Sequence, residues 1–281
     1  MTERFAETTR RLESLHQLGV VVTAMRGIAA SRAQQAHALL PGVRAYAEVI
    51  GEAIGQALAL ASDAGPRYGG TTPRRAVILF AAEQGFAGAF SNPVLAALDD
   101  PPQPSDVFLI GTRGTMLAAG RRIRPAWHTP MVPHASLVPA LAGRIAEALY
   151  SWVADHDPPH VDVIAPVWSS AAGVRAERRA LLPFDFRRFA TPQHGPPPLT
   201  TLPPARLVAQ LAEEYLFAEL CEAALIAFAA ENEARVAAML AAKHNLEGME
   251  SDLQSLARQL RQEEITAELV ELAGGAALDL D

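Results

Sequence analysis

Two long apolar stripes, one towards each end, constrain this chain more than any other feature. Stepping alternately by three and four residues from Leu15 reaches Leu18, Val22, Met25, Ala29, Arg32, Ala36, Leu39, Val43, Tyr46 and Ile50, and only Arg32 breaks the run. From Leu207 the same stepping reaches Leu211, Glu214, Ala218, Cys221, Leu225, Phe228, Asn232, Arg235, Met239, Ala242, Leu246, Met249, Leu253, Leu256 and Leu260, with Glu214, Asn232 and Arg235 as polar exceptions. A 3-4 stripe sustained over many turns marks a helix with a partner along its length. The helices read as 3–60 and 206–272. At ~1.5 Å per residue the second is a rod of roughly 100 Å, against a mean of about 11 residues for globular helices. It must project from any domain that contains it. Pairing of the two as an antiparallel coiled coil is expected, with the middle of the chain closing the hairpin; pairing with a second copy is the alternative. Pro203 and Pro204 suit a helix entry. Pro41 and Gly42 interrupt the first helix and predict a kink.

Composition narrows the function classes. Half of the 281 residues are hydrophobic while only 6% are aromatic, so the chain folds and leans helical on its alanines. The net charge is −7 and there is no basic stripe, so no nucleic-acid partner is expected. Cys221 is the only cysteine; it reads as a small buried hydrophobe, and a reducing compartment fits. The charged start, MTERFAETTRR, lacks an apolar signal core, and no apolar run approaches the ~18 residues of a membrane span. A cytosolic or peripheral location follows as an expectation.

The middle of the chain changes character. RRAVILFAA (74–82), SDVFLIG (105–111) and HVDVIAPVW (160–168) read as strands; SNPVLAALDD (91–100), TRGTMLAAG (112–120) and residues 136–156 read as helices. Alternation of this kind predicts a small Rossmann-like α/β domain with a parallel sheet. The expected organisation is an N-terminal helix over 1–72, an α/β domain over 73–190, a linker over 191–205 and a C-terminal helix over 206–281.

No catalytic constellation emerges. The GxGxxG, P-loop, GxSxG and HExxH patterns are absent. GTRGT (111–115) stands where a βα phosphate loop would, but its glycines suit an ordinary turn. EQGFAGAF (83–90) reads as a loop in preference to an anion cradle. Asp155, His156, Asp157, His160 and Asp162 include possible ligands, yet a proline-rich turn before a strand accounts for them. His128 and His134 have no nucleophile beside them, and Ser169 and Ser170 have no evident base. No catalytic residue, metal or cofactor is expected.

Three stretches resemble the gamma subunit of the F-type rotary ATP synthase. VVTAM (21–25) and IAASR (28–32) stand where that family has ITKAM-like and VAASK-like turns, with Thr23 in place of a lysine and Gly27 in place of a methionine. AAEQGFAGAF (81–90) is similar to the family's TSDRGLCGGFN loop through Gly85, Gly88 and Phe90. ENEARVAAMLAAKHN (231–245) and RQEEITAELVELAGGAA (261–277) follow its C-terminal signature, with Ile265, Thr266, Glu268, Glu271, Gly275 and Ala276 at the right spacings.

The resemblance implies a central-stalk rotor that does not itself hydrolyse ATP. Its partners would be three alpha and three beta subunits, the epsilon subunit and the membrane c-ring, on the cytoplasmic face of a bacterial membrane. It would couple ion flow through the ring to ATP synthesis or hydrolysis. Met25, Arg261, Gln262, Thr266 and Glu268 would meet the stator, and Ala273, Gly274, Gly275, Ala276, Ala277 and Leu278 would form a low-friction bearing tip. A gamma-like subunit of a second, sodium-translocating F-type ATPase is one alternative. A nucleotide-binding α/β enzyme with dimerising helices is another.

Overall fold

The computed structural model describes residues 2–60, 74–98, 105–156, 159–189 and 198–278; for residue 2, residue 159 and residues 271–278 it describes the backbone alone. The chain divides into two units, Met1–Ile28 with Val236–Asp281, and Ala29–Arg235. Helix α1 is Thr2–Leu60 and helix α5 is Pro204–Leu278, so each contributes to both units. Pro41 lies inside α1 on an exposed position and does not end the helix.

The buried face of α1 is a 3-4 stripe, but three of the eleven expected positions are exposed. Leu15, Val22, Ala29, Ala36, Val43 and Ile50 face inward as expected. Between them the buried or half-buried positions are Gly19, Ala33, Leu40 and Ala47, while Leu18 is 51% exposed and Leu39 and Tyr46 are exposed too. Gly19 and Ala47 take the seam from the larger Leu18 and Tyr46, which lets helix backbones approach closely there, while Leu40 replaces Leu39 at equal size. Along α5 the same exchange puts Glu250 and Ala257 in half-buried positions and leaves Met249 and Leu256 exposed.

Within Ala29–Arg235, α1 and α5 run antiparallel in one chain. Three polar contacts show it: His37 Nε2 with Glu233 Oε1 at 2.9 Å, Arg44 Nε donating to Glu222 Oε1 at 2.8 Å, and Tyr46 OH donating to Glu214 Oε2 at 2.7 Å. Numbers rise on α1 as they fall on α5. Glu214, a polar exception in the α5 stripe, thus sits at the surface and takes the Tyr46 hydroxyl. In the other unit, residues Glu3 to Leu15 of α1 and Met249 to Leu253 of α5 line a common groove.

The sheet has five strands in the order β3-β2-β1-β4-β5. They are β1 (Arg74–Phe80), β2 (Asp106–Ile110), β3 (Trp127–Thr129), β4 (Pro159–Ser169) and β5 (Gly173–Leu182), with helices α2 (Ser91–Ala96), α3 (Thr112–Gly120) and α4 (Val138–Ala154) between them. β1 to β4 are mutually parallel, whereas β5 pairs antiparallel with β4. The expected parallel sheet is therefore a mixed one. β5, GVRAERRALL, lies at an edge, half-exposed and rich in charge, and so lacks the apolar signal of a central strand. β3 spans only three residues. β1 is apolar throughout its second half because both of its faces are covered.

One face packs Ala76, Ile78 and Phe80 of β1 with Phe108 and Ile110 against Leu141, Ile145 and Leu149 of α4 and against Leu220, Ala224 and Phe228 of α5. The other packs Val77, Leu79 and Leu109 against Val94 and Leu95 of α2 and Ala118 of α3. α5 is buried almost all round from Tyr215 to Arg235, since it meets α1 and the sheet at once. Cys221 lies in this stretch, and burial pushes its thiol up to about 11, which makes it inert.

The observed seam makes a direct prediction. Leu40→Ala removes a side chain that is 7% exposed and should cost about 2–4 kcal/mol in urea unfolding. Leu39→Ala, its exposed neighbour, should stay within about 0.5 kcal/mol. Equal losses would restore the register read from the apolar stripe.

Candidate functional site

In a doubly wound sheet, ligands bind at the carboxyl ends of the strands where the order reverses. Here that point is the end of β1, flanked by β2 and β4. Residues 81–90 leave the sheet there, and Gly111 and Gly114 bring α3 close. Gly111 has φ +116°, and a Cβ on it would stand 2.4 Å from the Ala81 oxygen. A Cβ on Gly114 would stand 2.2 Å from the Ala81 Cβ. These glycines are required for packing of α3 on the β1 exit, as the turn reading of GTRGT held.

The N-terminus of α3 would receive a phosphate in a nucleotide-binding sheet. Glu83 fills it instead. Its Oε2 accepts the Thr112 N–H at 2.9 Å and the Met131 N–H at 2.8 Å, and its Oε1 accepts the Thr112 hydroxyl at 2.8 Å. A carboxylate is stabilised there by the unpaired amides and the helix dipole.

α5 seals the crevice from above. Glu231 Oε2 accepts the Glu83 N–H at 3.0 Å and Oε1 accepts the Gln84 N–H at 3.1 Å. Arg235 Nη2 donates to Glu231 Oε1 at 2.6 Å and to the Gly85 oxygen at 3.2 Å; its Nε reaches the same oxygen at 3.3 Å. Arg235 Nη1 donates to Asn232 Oδ1 at 3.2 Å, and Asn232 Nδ2 donates to the Phe228 oxygen at 2.7 Å. Asn232 and Arg235, the polar exceptions of the stripe, are thus buried members of one network. Sequence reasoning missed their purpose, although the interruption of an apolar stripe at 231–235 was its signal.

A second charged group lies further along α5. Arg188 donates to Tyr215 OH at 2.6 Å and to Glu219 Oε1 at 3.3 Å. Arg179 Nη2 stands 2.9 Å from Glu219 Oε2 as an ion pair without hydrogen-bond alignment, and 3.8 Å separates its Nη1 from Glu222. Burial pushes the Tyr215 phenol up to about 12. Each arginine here already faces a glutamate.

The remaining candidates are scattered. Ser169 Oγ accepts the Ala172 N–H at 3.1 Å, which closes the β4–β5 turn. His156 stacks on Trp152 at 4.4 Å and its Nδ1 meets the Trp152 oxygen at 2.7 Å. Asp162 takes Arg178 Nε at 3.0 Å. Asp157 lies outside the described residues. Among the described residues no group of three His, Cys, Asp or Glu side chains could hold a metal ion.

Met25 is half-buried on α1. Arg261, Gln262, Thr266 and Glu268 are exposed on α5, and the Thr266 hydroxyl donates to the Gln262 oxygen at 2.8 Å. Among and just beyond them Ile265, Leu269 and Val270 are exposed, the last by 68%. The side chains of Ala273, Gly274, Gly275, Ala276, Ala277 and Leu278 lie outside the described residues, though their backbone is helical.

A family model described as ATP synthase matches residues 4–278. The chain belongs to this family. Among curated relatives, the ATP synthase gamma chain of Frankia casuarinae is 29% identical, covering 98% of each chain. That of Thermobifida fusca is 25% identical over 95% of this chain and 93% of its own. A chain in a structure of the Euglena gracilis mitochondrial ATP synthase OSCP/F1/c-ring superposes with a TM-score of 0.67 at 13% identity, covering 99% of this chain and 95% of that one. A chain from the central stalk and c-ring of Tetrahymena thermophila mitochondrial ATP synthase gives 0.56 at 16% identity, with 79% of this chain covered and 99% of that one. At those identities the likeness is one of fold.

Two outcomes test the closed crevice. Titration of ATP into the isolated ATP synthase chain should give no saturable heat, because Glu83 holds the α3 N-terminus. Gly114→Ala should destabilise by about 1–3 kcal/mol through overpacking. Gly143→Ala in α4, where a Cβ meets nothing within 4 Å, should instead stabilise by roughly 0.5–1 kcal/mol.

Proposed function

We propose that this chain turns as the gamma subunit, the central-stalk rotor, of an F-type ATP synthase. Its work is mechanical and it catalyses nothing itself. One observation carries the reading beyond family membership: the unit formed by Met1–Ile28 and Val236–Asp281 leaves large apolar side chains in water. Val20 is 60% exposed and Val21, Ile28, Leu240, Met249, Ile265 and Leu269 are exposed as well. Exposed apolar side chains along a helix pair suit a surface that other proteins cover. A ring of three alpha and three beta subunits around these helices would cover them.

The epsilon subunit and the c-ring would be partners of the sheet end, and the membrane would be reached through the c-ring, on the cytoplasmic face of a bacterial cell. No helix among the described residues is long and apolar enough to cross a membrane, which suits a peripheral subunit. Met25, Arg261, Gln262, Thr266 and Glu268 would contact the beta subunits in some rotor orientations and lose those contacts in others. A contact made in only one state biases that state by its differential energy. Ala273 to Leu278 would serve as the bearing, since small apolar groups offer few hydrogen bonds to break as the rotor turns.

Co-expression with the host's alpha and beta subunits tests the reading. A complex with one copy of this chain per three alpha and three beta is expected, and truncation after Leu260 should lower its ATPase turnover. Arg261→Ala/Gln262→Ala should assemble normally and slow turnover about three- to tenfold, equivalent to roughly 0.7–1.4 kcal/mol on the barrier. Absence of a complex with any alpha–beta pair of the host would defeat the assignment.

A further inference from the structure

The apolar contact between α5 and the sheet carries Leu220 and Phe228 among many alanines. Ala223, Ala224 and Ala227 belong to the cluster that holds Ile78 and Phe80 of β1, and Ala230 and Ala234 to the one that holds Ala82 and Ala87. Burial of small methyl groups resists separation but has no direction. Where the face is alanine, a slide by one residue, about 1.5 Å, or a rotation loses little buried area, so apolar burial alone fixes the register weakly. A shaft carrying load needs a contact that does not permit this.

Two sets of directional contacts hold α5: Arg179 and Arg188 pair through long side chains with Glu219, Glu222 and Tyr215, and a second set falls on three consecutive backbone residues. Glu231 takes the amides of Glu83 and Gln84, and Arg235 grips the Gly85 oxygen through two N–H groups. Hydrogen bonds weaken steeply with misalignment, so a slide of one residue breaks the whole set. Glu83 then passes the constraint onward, because its own carboxylate holds Thr112 of α3 and Met131 beyond β3. The Glu231 and Arg235 side chains are each only 6% exposed. A buried ion pair gains little stability over packed apolar groups of similar size, and its best-attested use is to set register.

We propose that Glu231 and Arg235 are a register pin that locks α5 to the carboxyl end of β1, so that sheet and helix turn as one body under load. The proposal rests on the rotor reading and assigns these residues a positioning role within it. The pin transmits torque; the alanine contact supplies adhesion.

The test is Glu231→Gln/Arg235→Met in the complete membrane-bound enzyme, with wild type measured first. The double variant leaves no bare buried charge. It should assemble and hydrolyse ATP within twofold of wild type, while ions transported per ATP hydrolysed fall at least threefold. In the same protein the Glu83 and Gln84 amides should exchange with deuterium at least tenfold faster, with Leu109 and Ile110 unchanged. An unaltered transport ratio would overturn the pin. Loss of assembly would overturn it as well, because the pair would then be needed for stability and not for register. Failure of the wild-type chain to join alpha and beta subunits would sink the rotor reading, and the pin with it; an intact wild type beside an unaltered variant sinks the pin alone.

Discussion

The burial of α5 between Tyr215 and Arg235 is the constraint on which the rest of the structure depends. A helix paired only with α1 would need one apolar stripe. This segment also crosses the sheet, so nearly every side chain in it must be small, apolar or paired. That requirement explains its alanines, which allow close approach, and its charges, each of which has a polar partner. It also explains why the polar exceptions of the stripe have different fates. Glu214 lies before the crossing and reaches a surface tyrosine, while Asn232 and Arg235 lie within it and close the crevice.

The same crossing removes the sheet's ligand site. An open α/β sheet with this strand order leaves a cleft at the end of β1. Here a carboxylate of the loop itself caps α3, and a carboxylate of α5 caps the loop. Negative groups of the chain occupy the positions where a phosphate would be attractive. The sheet is turned from a binding domain into a mechanical one without a change of topology, which shows that fold alone does not assign function.

Much of this was legible in the residues. Two sustained 3-4 stripes require long paired helices, and alternating apolar runs and helical patterns require an α/β middle. α3 lies where TRGTMLAAG places it. The candidate site was less legible. β5 escaped notice because an edge strand need not be apolar, and the coil register was misread because Leu18 and Tyr46 compete with smaller neighbours for the seam and Leu39 with its equal, Leu40. Periodicity ranks positions by hydrophobicity, whereas a close-packed helix pair selects for size as well. EQGFAGAF could only be read as a loop, since its partners are almost 150 residues away in α5.

The sequence by itself determined the types of the helices and of β1, β2 and β4, the length of the two terminal helices and the family, because these depend on local periodicity and on motifs at fixed spacing. Tertiary structure alone decided which seam residues meet, that β5 closes the sheet antiparallel, and that Glu83, Glu231 and Arg235 form one network. The physical reason is that hydrophobic periodicity is a property of one segment, while register and charge pairing are properties of two segments brought together by the fold.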